Sequence, residues 1–151
     1  MKQFIDDIIE YLDDKFSNES SLAIKPKGHY AYEHGLVPDS KTPFYVVQLM
    51  DNSTSQEDFN QEISARMPIQ IHVFGVKMKI NDKISKAQDS SLILAELCTK
   101  FLNEYKYTSK SITSMNRTSC TPALPYEDGS KAYYSVIRYN IEIKMPYVSA
   151  Q

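Results

Sequence analysis

The sequence predicts an α+β fold, a mostly antiparallel β-sheet of four to five strands with two α-helices packed on one face. Three observations predict it. The first is the stretch KAYYSVIRYNIEIKM at residues 131–145. Tyr133, Ile137, Tyr139, Ile141, Ile143 and Met145 share one parity, broken only by Ser135, while Arg138, Asn140, Glu142 and Lys144 take the other. Period-two alternation over this length means a strand with one buried and one wet face. A parallel sheet is covered on both faces, so the alternation favours antiparallel pairing. The second observation is a pair of segments with apolar residues at helical spacing. The third is the order α, β, β, β, α, β, β, which suits a sheet with helices gathered on one side.

The elements follow in order. Lys2 to about Phe16 is a helix, with Phe4, Ile5, Ile8, Ile9, Leu12 and Phe16 on one stripe and Asp6, Asp7, Glu10, Asp13 and Asp14 on other faces. Ser17–Ser21 is a polar break, and Leu22–Pro26 reads as a short strand. Gly28–Thr42 is turn-rich, with HYAYEH inside it pairing as part of a strand or folding over an edge. FYVVQLM at 44–50 is β-branched and aromatic, hence a strand. DNSTSQEDFN at 51–60 reads as a polar loop. Glu62–Lys79 reads as a strand pair or one bent strand. Pro68 there marks an edge, a bulge or a strand start, because it has no N–H for a ladder. Gly75 permits a kink or bulge before Lys77–Lys79. Asn81 or Asp82, with Ser85 as a later choice, caps a second helix running to about Tyr105. Ala87, Ser91, Leu94, Cys98, Phe101 and Tyr105 form its core stripe. Ser111–Met115 is a short strand, and Asn116–Gly129 an irregular loop with Pro122, Pro125 and the Asp128–Gly129 turn signal. The long alternating strand closes the chain.

The 151 residues suit a single domain spanning 1–151, long enough to bury roughly 70% of its unfolded surface. Net charge is −2 and pI about 5.9, without the basic excess by which a free-standing nucleic-acid binder neutralises phosphates. The two cysteines, Cys98 and Cys120, form neither a metal pair nor a disulfide framework, so both are expected as free thiols in a reducing cytoplasm. The N-terminal apolar run is interrupted by acids, unlike a signal peptide, and no run reaches the ~18 apolar residues of a membrane span. The expectation is a soluble cytosolic protein with no membrane partner.

Motifs for bond chemistry are missing from the sequence. His29 and His34 are five apart in a segment without helical pattern, unlike zinc ligands one turn apart, and His72 sits on the polar parity of a strand. Asp13–Asp14 and Glu127–Asp128 are adjacent carboxylates, which diverge on a helix or lie in a turn. With four glycines in all, there is no phosphate-cradling loop and no nucleophile elbow. Cys120 has no base partner by motif. Asn116-Arg117-Thr118 matches a glycosylation acceptor, read as chance without a secretory route. The expectation is no enzyme, no cofactor and no metal. What remains is interaction chemistry: 11 tyrosines and only three arginines, Arg66, Arg117 and Arg138. Arginine and tyrosine are enriched at protein interfaces.

Several pieces, in order, carry a resemblance. They are the amphipathic N-terminal helix, the strand around PIQIHVFG, the helix SSLILAELCTKFLNEY, and the closing ITSMNRTSCTPALPYEDGSKAYYSVIRYNIEI. This layout resembles the tail terminator (tail completion) proteins of long-tailed bacteriophages and phage-tail-like particles, also labelled minor capsid or tail-to-head joining proteins. The resemblance covers nearly the whole chain in layout through degenerate motifs. It implies a virion assembly protein made in the host bacterial cytoplasm and placed in the virion tail or neck. Six copies would form a ring that caps the tail tube, ends polymerisation and docks the head connector. The implied partners are further copies of the chain, the major tail-tube protein and a head-completion or connector protein, with DNA passing through unbound. The segments 51–60 and 116–129 are the expected contact loops, and Phe59, Arg66, Arg117, Tyr126 and Arg138 the candidate interface residues. Two alternatives stay open: a head-completion or neck protein on the connector side, and a small cytosolic ligand-binding or enzymatic α+β domain.

Overall fold

The computed structural model describes residues 2–31, 38, 41–50, 54–57, 62–108, 112–126 and 131–146. The chain runs α1 (Lys2–Ser17), β1 (Lys27–Tyr30), β2 (Phe44–Leu49), β3 (Thr54–Glu57), β4 (Glu62–Gly75), β5 (Met78–Ile80), β6 (Lys83–Ser85), α2 (Ala87–Thr108), β7 (Ile112–Cys120), β8 (Leu124–Pro125) and β9 (Tyr133–Pro146). The main sheet has the order β1-β2-β4-β9-β7, with β3 added to β4 and β8 to β9. All its pairs are antiparallel except β1 with β2. This is the expected α+β architecture, with two helices packed against one face.

The spine is the β4–β9 pair, in unbroken register from Glu62↔Pro146 to Gly75↔Tyr133. On β4 the residues Met67, Ile69, Ile71 and Val73 are buried, and on β9 so are Ile137, Tyr139, Ile141 and Ile143. They meet Phe4, Ile5, Ile8, Leu12 and Phe16 of α1 and Leu94, Cys98, Phe101 and Leu102 of α2 in one core. Each such side chain contributes about 1.5–3 kcal/mol when fully buried. Ile9 is only partly buried at the margin.

Small residues let α2 approach the sheet. A Cβ on Gly75 would lie 2.2 Å from the backbone nitrogen of Ser91, so only glycine fits beneath the first turns of the helix. Ser90 and Ser91 are fully buried there, and so is Ser135, the residue that breaks the parity of β9. The helices also carry suitable ends. Lys15 and Lys106 lie in the last turns of α1 and α2, and Asp89 in the first turn of α2, each opposing the local end of the helix dipole.

Several local expectations are corrected. Leu22–Pro26 is no strand: Leu22 makes a single bridge to Ile80, and the strand begins at Lys27. Within the expected 51–60 loop, Thr54–Glu57 is a strand against β4. Asn81 and Asp82 do not cap a helix. They turn the β5–β6 hairpin with φ of 53° and 63°, the left-handed pair that a two-residue hairpin loop demands. Ser85 ends β6. The expected short strand at 111–115 extends to Cys120 through two irregularities of register, so half of the expected 116–129 loop is sheet.

Pro68 stands inside β4, neither at a true edge nor at its start. Between Leu49↔Ile69 and Thr54↔Arg66 the register steps by two residues, and Pro68 sits at that step. Its carbonyl accepts the Met50 N–H at 2.8 Å, so its missing N–H faces the broken flank and costs the ladder little.

Candidate functional site

The face of the sheet turned away from the helices is built by parity alone. On β4 it carries Arg66, Pro68, Gln70, His72 and Phe74; on β9, Tyr134, Val136, Arg138, Asn140, Glu142 and Lys144; on β2, Phe44, Val46 and Gln48. Register sets these residues side by side: Phe74 opposite Tyr134, Gln70 opposite Arg138, Arg66 opposite Glu142.

One end of this face is aromatic. Phe44 and Phe74 stack at 4.5 Å, Tyr134 tilts against Phe74 at 5.6 Å, and Tyr126 meets Phe74 edge-on at 6.0 Å. His72 stacks on Tyr134 at 6.4 Å, and its Nε2 lies 3.2 Å from Gln70 Oε1. Burial, aided by the nearby Arg138 charge, holds the His72 imidazole below its ordinary pKa of 6.5. The other end is charged and exposed, with Arg66, Glu142 and Lys144. Arg138 bridges the two ends, its Nη1 3.4 Å from Ser119 Oγ of β7.

Three of the expected interface residues are thus gathered on one surface: Arg66, Arg138 and Tyr126 are all exposed on it. Arg117 is not with them. It lies opposite Tyr139 on the helix side, where Nη1 donates to Thr99 Oγ1 at 3.2 Å and pairs with Glu96 at 3.6 Å. Phe59, the Asp128–Gly129 turn and His34 lie outside the described residues. Sequence reasoning missed Phe74, Tyr134 and His72 as a group. The available signal was the run of apolar residues on the wet parity at the strand ends, Phe44, Phe74 and Tyr134.

Asp13 serves the fold. Its Oδ1 accepts the Gly28 N–H and the Tyr45 hydroxyl, both at 2.8 Å, tying α1 to β1 and β2. Burial together with the Asp13 carboxylate drives the Tyr45 phenol far above its ordinary range. Cys98 is buried in the core, where desolvation pushes its thiol up, away from the reactive thiolate. Cys120 is half-exposed. Among the described residues, no three His, Cys, Asp or Glu side chains gather as metal ligands. Phe44, Val46 and Phe74 are themselves buried in a second small core, with Tyr134 packed against it, so what this sheet face offers a partner is the exposed Tyr126 ring and charged hydrogen bonding from two arginines. In comparisons with family models and with curated proteins, nothing matches this chain.

Proposed function

We propose that this protein is a structural assembly protein of a phage or phage-like tail, a terminator that caps the tail tube as a ring and presents the surface for the head connector. The observation that carries the reading is the one-sided layering. Both helices cover one face of the sheet, while the other face presents Arg66 and Arg138 on strands β4 and β9 and Tyr126 just after β8. Aromatic and arginine side chains on a pre-ordered surface are the usual anchors of a protein interface. The resemblance of the closing segment to tail terminators supplies the partner class. Function of this kind is steric: a ring seated on the last tube ring removes the template for the next one. The mild acidity of the chain suits DNA passing through without binding.

The test is tube length. The cognate tail-tube protein is polymerised with and without this protein and the tubes are measured by negative-stain microscopy. Shorter tubes with extra terminal density are the expected result. Tubes of unchanged length with bare ends would sink the terminator role and put the neck-protein alternative first.

A further inference from the structure

We propose that neighbouring copies of this chain join by docking the β5–β6 hairpin of one on the outer stripe of α1 of the next. The first patch is basic and apolar. Lys77, Lys79, Lys83 and Lys86 are all exposed, and among the described residues none pairs with a carboxylate. Residues 77–89 hold only Asp82 and Asp89 against these four cations. Beside them runs a groove of about 580 Å³ whose apolar lining includes Ile80, Ile84, Leu92 and Ile93. Ile84 is 67% exposed, at the tip strand of the hairpin.

The second patch is acidic. Asp7, Glu10 and Asp14 recur at i, i+3 and i+7, so they form one line along α1. All three are exposed and none meets a cation among the described residues. Lys15, the nearest base on the helix, is turned to Glu104 at 3.5 Å and to the Tyr11 ring.

Two unlike, complementary patches that lack ion pairs among the described residues, Asp7 accepting only the Gln3 amide at 2.9 Å, make a head-to-tail contact, which closes into a ring when the rotation allows. A nucleic acid fits the first patch less well. Phosphates would meet the lysines but leave the exposed isoleucine in water, whereas a protein surface covers both. The acidic line on α1 is about 11 Å long and roughly 10 Å wide, well below the ~800 Å² per partner of a stable complex. The contact is therefore weak in dilute buffer and strengthened by assembly. This inference rests on the assembly reading only for closure into a ring.

The test uses the full chain in sedimentation equilibrium, up to about 1 mM protein at about 50 mM and about 500 mM salt. One variant reverses the hairpin (K79E/K83E/K86E) and another reverses the helix (D7K/E10K/D14K). Circular dichroism melts confirm that each folds, and I84D serves as a second hairpin variant that leaves the charges of α1 alone. The unsubstituted chain should associate, at least about tenfold more weakly at the higher salt. Each variant alone should be monomeric, and an equimolar mixture of the two reversed variants should associate again, because opposite signs are restored at every contact. A folded mixture that stays monomeric, or an unsubstituted chain that is monomeric throughout, overturns the proposal. Binding of duplex DNA by the unsubstituted chain that is lost in the hairpin variant overturns the choice of occupant. Tube capping is scored separately: a chain that caps tubes while the mixture fails overturns this contact alone, and one that associates as expected but leaves tubes long overturns the terminator reading alone.

Discussion

At the scale of single residues, two glycines and one histidine show how closely the core and the open face are fitted. Gly28 lies against the Tyr45 ring, where a Cβ would come within 2.3 Å of a ring carbon. That ring is buried and its hydroxyl is held by Asp13, so it has little room to yield. Gly75 is tighter still, since its obstacle is the backbone of α2. Gly75→Ala should therefore destabilise by about 3 kcal/mol and Gly28→Ala by about 2 kcal/mol, as overpacking does. Urea unfolding checks both, and a loss below about 0.5 kcal/mol at Gly75 would contradict the close helix–sheet approach. His72 makes a pH prediction. Its folded pKa lies below 6.5, so under that pH the unfolded chain takes up a proton that the folded chain resists. Its contribution is present above pH 6.5 and lost as the pH falls through 6.5 toward the depressed value. Melting temperature should drop on acidification, and His72→Gln should flatten that part of the profile.

At the scale of elements, parts of the fold are legible in the sequence. Both helices and β9 are, because each repeats one period over many residues and each buries the stripe so defined. The turns were less legible. Asn81-Asp82 is a strong hairpin signal in itself, but Asn and Asp also favour helix N-caps, and the nearby α2 made the cap reading attractive. Pro68 is legible only as one of three choices, because its tolerance depends on a register step in the neighbouring strand. The open face was half legible. Arg138 and Arg66 follow from parity, but the placing of Tyr126 on the same face depends on how β4, β8 and β9 align, and a change of register in β7 turns Arg117 to the opposite face. The hairpin offers a direct check. Asp82 has φ of 63°, a conformation that glycine adopts freely. Asp82→Gly should leave stability unchanged or raise it by about 0.5 kcal/mol, whereas a β-branched Asp82→Val should lower it by about 1–2 kcal/mol. Thermal melts of the two variants in parallel would separate a hairpin turn from a helix cap, since loss of a cap would make the glycine variant no better than the valine one.

For the molecule as a whole, the sheet divides the labour. One face holds the helices and the main core, so substitutions there act through stability, as do those in the small Phe44, Val46 and Phe74 cluster on the other face. The other face carries exposed charge on strands already fixed by the β4–β9 ladder, so substitutions there should alter docking while sparing the fold. On the assembly reading, reversing Arg66 and Arg138 together (R66E/R138E) removes both arginine anchors. It also sets a new carboxylate on β4 against Glu142 of β9, a like-charge pair costing only about 0.5 kcal/mol. The chain should melt near its original temperature yet fail to shorten tail tubes. Arg117→Ala is the contrast. That side chain is engaged with Thr99 and Glu96 on the helix side, and its exposed ion pair is worth at most about 1 kcal/mol. Its loss should cost little stability and leave tube capping intact. Melting curves and negative-stain tube lengths on the two variants decide the matter. A folded R66E/R138E chain that still caps tubes would remove the open sheet face from the docking surface, and an Arg117→Ala chain that folds but cannot cap would transfer that role to the β7 edge beside α2.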